Sequence, residues 1–365
     1  MANHTVEVSS KGKWYQVPAV PVDGHNLLVK GKWIRMAVVH DEEWLETEIT
    51  RPALCLRTLK AERSQELRAD IFTFAQKPTT TLPRFDYPIE WESVAAACTS
   101  SYKDWWEKLP QESRKNVRRS QKRGVVVQVR SLTDELVEGI IGVNNDSPMR
   151  QNLPFAHYGK TFAQVKKDQS AFLDRSDFIC AYLGDELIGF LKIIYRGDVA
   201  SILQLLPKAS HADKRPANVL VAKAVELCAA KGIAVLTYGL FNYGNKRDNP
   251  LREFKVRNGF DERLIPRYYV PVTLWGALCV RTKVYRGLHG LLPHRVIMAV
   301  VNARAKWYQF RGPGRRCSST PEQPNRNRQM ERSNPPAGST LNYPPLAGSD
   351  KPAQESMAQP ALRQS

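Results

Sequence analysis

Three short apolar runs in close succession constrain this fold more than any other part of the sequence. The runs cover residues 178–183, 187–195 and 199–206. Gly184-Asp185 and Gly197-Asp198 separate them, and these residue pairs tolerate the backbone angles of a tight hairpin. The pattern predicts three antiparallel strands in a meander.

A helix, a strand and a second helix are predicted to follow the meander. Pro216 suits a first helical turn because its ring fixes φ, and apolar residues then recur at helical spacing as far as Lys231. Gly232 is a typical C-terminal stop. Residues 233–241 read as a strand and residues 250–258 as a short helix. The expected fold class is α+β, with a mixed α/β sheet.

The loop between the third strand and the helix is basic. Residues 208–218 read KASHADKRPAN and include Lys208, Lys214 and Arg215. A helix N-terminus presents free backbone N–H groups, which together with the helix dipole bind phosphate or pyrophosphate. The loop contains no glycine, so a solvated basic loop with an ordinary helix cap is the alternative.

Four stretches in a fixed order link this segment to a known family. They are WWEKLPQESRKNVRRSQKRGVVVQV (105–129), DELIGFLKI (185–193), RPANVLVAKAVELCAAKGIAVLTYG (215–239) and LREFKVRNGF (251–260). In that order they are similar to the domain entry, the second and third strands, the donor-loop helix with its next strand, and the closing "FK…GF" signature of one family. Residues 105–274 thus resemble a GNAT-type acyltransferase, most closely the branch related to the FemABX peptidyltransferases and the BioF2-like acyltransferases.

The resemblance implies an acyl donor and the residues that bind it. The donor would be acyl-CoA or acetyl-CoA, held by the loop and helix start at Lys214, Arg215, Ala217 and Asn218. GNAT acetyltransferases usually carry Q/R-x-x-G-x-G/A in this loop, whose glycines let the backbone approach the pyrophosphate. This chain has no such glycine, which favours aminoacyl-tRNA as the alternative donor, as in the Fem branch.

The resemblance also implies catalytic residues near the end of the domain. Many GNAT enzymes place a tyrosine before the terminal Gly-Phe, where it protonates the departing thiolate. Lys255 occupies that position and is expected to stabilise negative charge on the tetrahedral intermediate or the leaving group. Tyr238 follows the donor helix on the next strand, and Tyr268 is expected on the final strand. A lysine on the helix surface is the alternative reading of Lys255.

A polar and aromatic connection at 147–165 is expected to line the acceptor side. Its candidate residues are Arg150, His157, Tyr158 and Lys160, and Asn242 is a further candidate for orienting substrates. A guanidinium in this position would grip a carboxylate bidentately. The alternatives are a surface salt bridge for the arginine and a histidine satisfied by backbone groups.

The chain is expected to divide into four segments. They are a β-rich N-terminal subdomain (1–88), the transferase domain (89–274), basic amphipathic helices (275–311) and a disordered tail (312–365). Helical character is predicted at about 59–75 and again over 89–124.

The helix that enters the transferase domain carries dense positive charge. Lys115, Arg118, Arg119 and Lys122 recur at helical spacing, so one face of this helix is basic. This face predicts a phosphate, an RNA backbone or an acidic protein as a partner. A solvated face, partly neutralised by acidic residues elsewhere, is the alternative.

Charge and cysteine usage limit the possible partners and compartments. The chain has 54 Lys and Arg against 36 Asp and Glu, a net charge of +18, which favours nucleotide cofactors, RNA or anionic lipid surfaces. Its six cysteines are scattered without a C-x-x-C pair, so reduced thiols and no metal site are expected. No apolar run reads as a signal or a membrane span. A cytoplasmic location is expected, with peripheral contact at the inner membrane face as an option.

The sequence therefore predicts direct acyl transfer in a ternary complex. The acceptor would be an amine or hydroxyl on a small molecule or an envelope precursor. No Cys or Ser stands in a recognisable nucleophile setting with His and Asp. One alternative is an aminoacyltransferase that uses aminoacyl-tRNA for envelope modification. Another is a non-catalytic GNAT fold that serves as an RNA- or membrane-associated scaffold.

Overall fold

The computed structural model describes residues 4–10, 13–150, 153–242 and 250–286. The strands are β1 (Thr5–Ser10), β2 (Lys13–Val22), β3 (His25–Lys30), β4 (Met36–Val39), β5 (Ile71–Ala75), β6 (Ile89–Cys98), β7 (Val125–Arg130), β8 (Met149–Arg150), β9 (Leu153–Pro154), β10 (Ser176–Leu183), β11 (Glu186–Arg196), β12 (Val199–Pro207), β13 (Val235–Leu240) and β14 (Asp261–Pro271). The α-helices are α1 (Pro52–Ala61), α2 (Tyr102–Lys108), α3 (Gln111–Lys122), α4 (Asp134–Asn144), α5 (Phe162–Gln169), α6 (Pro216–Ala230), α7 (Pro250–Arg257) and α8 (Leu274–Thr282).

Twelve strands form one mixed sheet in the order β1-β2-β3-β4-β5-β14-β6-β13-β12-β11-β10-β7. The predicted meander is confirmed, because β10 pairs with β11 and β11 with β12, all antiparallel. The helix, strand and helix predicted after it are confirmed as α6, β13 and α7. β13 then runs parallel to β12. The predicted α+β class with a mixed sheet is confirmed.

The strands of the meander are buried on both faces. On one face Ile179 and Ala181 pack with Leu220 of α6 in one hydrophobic cluster. On the other face Phe178 and Cys180 pack in a second cluster, which contains buried residues of α4 and α5. Successive residues of a strand point to opposite faces, so a strand covered by helices on both sides reads as a continuous apolar run.

The N-terminal strands extend the same sheet. β2 and β3 form a hairpin in which Val22 pairs with His25, and Asp23 and Gly24 between them both have positive φ. This is the turn that an Asp-Gly pair predicts. β5 pairs with β14, so the sheet continues across the expected boundary at residue 88. The segment boundaries themselves stay predictions.

Two helical predictions in the N-terminal third were wrong. Residues 89–98 form β6, which pairs with both β13 and β14 and so lies inside the sheet. The small residues Ala95, Ala96 and Ala97 favour a helix by themselves. Here they are buried between β13 and β14, and this tertiary packing overrides their intrinsic helix propensity. The helix expected at 59–75 is also not formed as predicted. Helix α1 ends at Ala61, and residues 71–75 form the strand β5.

The described chain ends with α8 and a short 3-10 turn at Val284–Arg286. A Cβ added at Gly276 of α8 would lie 1.8 Å from the carbonyl oxygen of Asp70, so only glycine allows this approach. The rest of the predicted 275–311 segment, and the tail at 312–365, lie outside the described residues. Within the described ranges, no helix combines the length and apolar character needed to cross a bilayer.

Candidate active site

The parallel strands β12 and β13 pair over only three residues. Val199–Ser201 lie opposite Val235–Thr237, and beyond these pairs each strand continues with a different neighbour. At the last pair, the hydroxyl oxygens of Ser201 and Thr237 lie 2.7 Å apart in a hydrogen bond. The sheet therefore has an opening directly after this hydrogen bond.

β13 is irregular at this opening. Its register against β6 shifts between Thr237 and Leu240, and Gly239 inside the bulge has a φ of +56°. A bulge re-aims the carbonyl groups and side chains next to it. The amide of Phe241 then pairs with the carbonyl of Ser93 on β6. The bulge leaves the backbone of Leu240 facing α7.

Lys255 on α7 is fully buried beside this bulge. Its Nζ donates a hydrogen bond to the carbonyl oxygen of Leu240 at 2.6 Å and lies 4.7 Å from the ring centre of Tyr238. Burial lowers the pKa of Lys255 to about 7, although the charge of Glu43 opposes the shift. The alternative of a lysine on the helix surface is excluded, since Lys255 is buried.

A cavity of about 70 Å³ lies against the same strands. Its lining includes Ser201, Thr237, Gly239 and Leu240 from the opening, with Glu43 and Arg196 facing them. Leu240 connects the two features, because its residue lines the cavity while its carbonyl accepts from Lys255. Glu43 acts electrostatically on both Lys255 and Arg196.

A second arginine lines this cavity, and it is hydrogen-bonded to two carboxylates. Arg267 donates from Nε to Glu92 and from Nη2 to Glu42, each at 2.8 Å. Glu42 also accepts from the amide of Ala75 at 2.6 Å. These hydrogen bonds tie β14 to β6, β5 and the loop after β4, and they form one wall of the cavity.

The expected donor loop leads into the N-terminus of α6. Arg215, the N-cap residue, adopts a left-handed conformation at φ 56°, and no side chain caps the helix. The first turn contains no acidic residue. Lys214 pairs with Asp213 at 2.9 Å, and Asn218 donates to Asn258 at 3.0 Å. The positive end of α6 is thus left without an acidic side chain of its own first turn.

The other end of this loop already contains an anion from the protein. The Asp146 carboxylate, at the end of α4, accepts from the amides of Ala209 and Ser210 and from the Ser210 hydroxyl. Burial opposes ionisation of Asp146, but these hydrogen bonds outweigh it and lower its pKa. These two amides are therefore already occupied, whereas the start of α6 carries no side-chain cap.

The basic entry helix is confirmed as α3 and lies against α6. Ser113, Val117 and Ser120 form its buried face. Its basic residues are exposed: Lys115, Arg118, Arg119 and Lys122. Arg123, just after the helix, donates to the backbone carbonyl of Asp213 in the donor loop. The basic surface of α3 thus continues to the start of α6.

The expected acceptor residues form two separate groups. Arg150 donates to the carbonyl oxygens of Pro207 (3.1 Å) and Val143 (3.4 Å), so its guanidinium faces backbone groups rather than an open site. Burial lowers its pKa. His157 and Lys160 instead converge on the buried Asp168, which also accepts from Trp14 Nε1 at 3.1 Å.

The remaining candidates also have defined positions. Tyr158 is about half exposed. Asn242 bridges Glu262 and Arg252, at 2.7 and 3.1 Å. Tyr268 is buried in the N-terminal core beside Phe74, and its hydroxyl donates to Gln76. The structure brings Tyr238 to Lys255 but places Tyr268 in a different hydrophobic cluster.

Sequence reasoning missed Arg196 and the glutamates of the cavity. Arg196 directly precedes Gly197-Asp198, so the sequence pattern assigns it to the turn, whereas it is the last residue of β11. Glu42 and Glu43 lie in a loop that the sequence leaves without any pattern. Only Arg196 has a signal in the sequence, because it is a charged residue at the end of an otherwise apolar strand.

A comparison with family models finds a match for part of the chain. Residues 109–248 match the model for the acetyltransferase (GNAT) domain. This part of the chain is similar to GNAT acetyltransferase domains. It lies inside the stretch that the sequence patterns indicated, and no match was found among curated protein sequences.

Several solved structures are similar to this chain at low sequence identity. FemX is 11% identical over 72% of this chain and 89% of its own, with a TM-score of 0.45. The C-terminal domain of a putative lysylphosphatidylglycerol synthetase from Agrobacterium fabrum is 13% identical over 76% and 87%, with a TM-score of 0.47. The PaiA N-acetyltransferase from Thermoplasma acidophilum, in complex with coenzyme A, is 17% identical over 39% and 98%, with a TM-score of 0.29.

Proposed function

We propose that this chain transfers an acyl group from a CoA-type thioester to an amine or hydroxyl at the opening between β12 and β13. Lys255 carries the proposal. Its buried amine donates to the Leu240 carbonyl on the cavity wall of a GNAT-family domain, and burial lowers its pKa to about 7. A pKa near the working pH suits a group that handles charge or protons during turnover.

The transfer is direct. The acceptor nitrogen or oxygen attacks the thioester carbonyl carbon, the new C–N or C–O bond forms, and the C–S bond breaks with its electron pair going to sulfur. The proton lost by the acceptor ends on the thiolate. Protonated Lys255 stabilises the negative charge that develops on the way, in a site with little water. Alignment of the two substrates supplies much of the remaining rate enhancement.

The donor site of this proposal is the N-terminus of α6. Acyl-CoA, when bound, would supply the activated acyl group. Arg215, Ala217 and Asn218 would hold its phosphates, and the helix start fits an anion because no side chain caps it and its first turn has no acid. Lys214 would contribute charge from its pair with Asp213.

An aminoacyl-tRNA donor is the second candidate, and one observation favours it. The exposed basic residues of α3 continue to the donor loop through Arg123, which contacts Asp213. A surface of this kind suits a long polyanion better than a single pyrophosphate. Binding of such a donor depends steeply on salt, because each contact releases counterions from the phosphate backbone.

Peripheral contact with an anionic membrane is a separate part of the proposal. α8 exposes Leu274, Trp275 and Leu278, followed by Arg281 and Lys283. Apolar residues beside basic ones suit the interface of an anionic bilayer. Flotation with vesicles of neutral lipid, with and without anionic lipid, tests this part. Equal binding to both vesicle types would contradict it.

Calorimetric titration of the full chain with coenzyme A, at two salt concentrations, tests the donor. Saturable binding that is lost when Lys214 and Arg215 are both replaced by Ala supports the CoA donor. Lys223→Ala, on α6 but paired with Glu226, is the matched control and should bind normally. If coenzyme A does not bind, aminoacyl-tRNA is titrated next. Failure of both donors would leave the scaffold reading.

A further inference from the structure

The cavity beside the opening holds a buried arginine without a hydrogen-bond partner. Arg196 is only 5% exposed and lies at the end of β11. Its Nε is buried and donates no hydrogen bond to any group in the described ranges. Arg267, which lines the same cavity, has two carboxylate partners.

An unpaired buried guanidinium is costly, and folding alone gives no reason to keep it. A buried charge normally acquires a partner or is lost. Burial lowers the pKa of Arg196 to about 10 against the opposing charges of Glu43 and Glu42, so the group remains protonated at neutral pH. The cavity therefore contains a fixed positive charge with unused donors.

The shape and charge of the cavity limit what this arginine can bind. A volume of about 70 Å³ accommodates roughly five water-sized groups, the size of a small molecule with few heavy atoms. Four carboxylates also line the cavity, Glu42, Glu43, Glu48 and Glu92, and they disfavour a doubly charged phosphate. A single carboxylate matches the guanidinium fork, whose two parallel N–H groups bind it bidentately.

We propose that Arg196 binds the carboxylate of a small acceptor that also carries the reacting amine, as a free amino acid does. Glu43 lines the cavity with Arg196, and its charge acts on both Arg196 and Lys255. The amine of the acceptor therefore faces Glu43 and the opening while the carboxylate stays on Arg196. The inference rests on the proposed function, because it assigns the acceptor of the same site.

Binding and turnover are measured separately to test it. The full chain is titrated without donor against small amino acids, the matching amino acid amides, ethylamine and inorganic phosphate. Binding of an amino acid, with no binding of its amide, is the expected result. Arg196→Met should weaken that binding by roughly 10- to 100-fold. The control Arg257→Met, on α7 and paired with Glu253, should bind as the unchanged chain does.

Arg196→Met is also expected to fold well, because it removes an unpaired buried charge. A midpoint of thermal unfolding equal to or above that of the unchanged chain, with amino acid binding lost, identifies a ligand-binding residue rather than a structural one. Equal affinity for an amino acid and its amide, binding of phosphate alone, or unchanged affinity in Arg196→Met would each overturn the inference. Amino acid binding that depends on Arg196, without turnover by any donor, would sustain this inference and contradict the proposed reaction.

Discussion

Two buried lysines in this molecule have similar environments but different neighbours. Burial lowers the pKa of both Lys192 and Lys255 to about 7, and each lies within 5.0 Å of an aromatic ring centre. Lys192 donates to the carbonyls of Gln169 and Ala171, which closes the chain after α5. Lys255 donates to Leu240 on the wall of the cavity. A shifted pKa therefore does not identify a catalytic lysine unless the amine also borders a space for substrate.

Replacement of Lys255 gives the largest expected effect. Lys255→Met should lower turnover by about 100- to 1,000-fold, because it removes the charge that stabilises the transition state. Lys192→Met is the matched control and should keep its turnover number. Turnover is measured by thiol release from the acyl donor, with folding checked by circular dichroism. Equal losses in the two variants would remove the distinction between the two lysines.

The pH dependence of turnover should report on Lys255 alone. If protonated Lys255 stabilises the intermediate, the turnover number falls about tenfold per pH unit above its pKa of about 7. The same decline should persist in Lys192→Met. Lys255→Arg keeps its charge at high pH, so its lower activity should show no such decline. A rate that rises through pH 7 would instead assign Lys255 as a base.

The pH dependence of stability should report on Lys192. The folded pKa of Lys192, about 7, lies below its ordinary value of 10.5, so the unfolded chain binds the extra proton between these values. The stability penalty is complete below pH 7 and is relieved as pH rises towards 10.5. Between pH 7 and 8.5 the free energy of unfolding should rise by up to about 2 kcal/mol more in the unchanged chain than in Lys192→Met. Denaturant unfolding at several pH values measures this, and parallel curves would contradict it.

Replacement of the aromatic rings beside the two lysines gives the smallest expected effect, a shift in the pH profile of turnover. Tyr238→Leu removes the ring under Lys255, and loss of a cation–π contact costs about 0.5–2 kcal/mol of the charged form. The pH profile of turnover should therefore move about one unit to lower pH. Phe178→Leu, under Lys192, should leave the profile in place. An unshifted profile in Tyr238→Leu would mean that its ring does not support the charge of Lys255.

Much of the transferase domain could be predicted because its signals are local. Gly-Asp turns and apolar runs predicted β10, β11 and β12, and Pro216 predicted the start of α6. β6 was missed because its identity depends on two strands that follow more than 130 residues later. Alanine-rich residues 95–97 gave no local sign of a central strand.

The candidate site was harder to predict, because it depends on distant segments that meet across the sheet. Lys255 and Tyr238 were named from the sequence, and the structure brings them together. Arg150 and Tyr268 were expected at substrates, but their polar groups face the protein itself. Arg196 and Glu43 are separated by about 150 positions in sequence, and both line the same cavity only because the loop after β4 reaches the end of β11.

The pairing of β5 with β14 has a practical consequence for work on fragments. β14 has β5 on one side and β6 on the other, so removal of the first 88 residues strips the hydrogen-bond partners from one whole side of β14. Such an edge readily recruits a strand from another molecule. A truncated chain that starts at residue 89 should therefore self-associate or precipitate. Its low solubility would not show whether the transferase domain can fold.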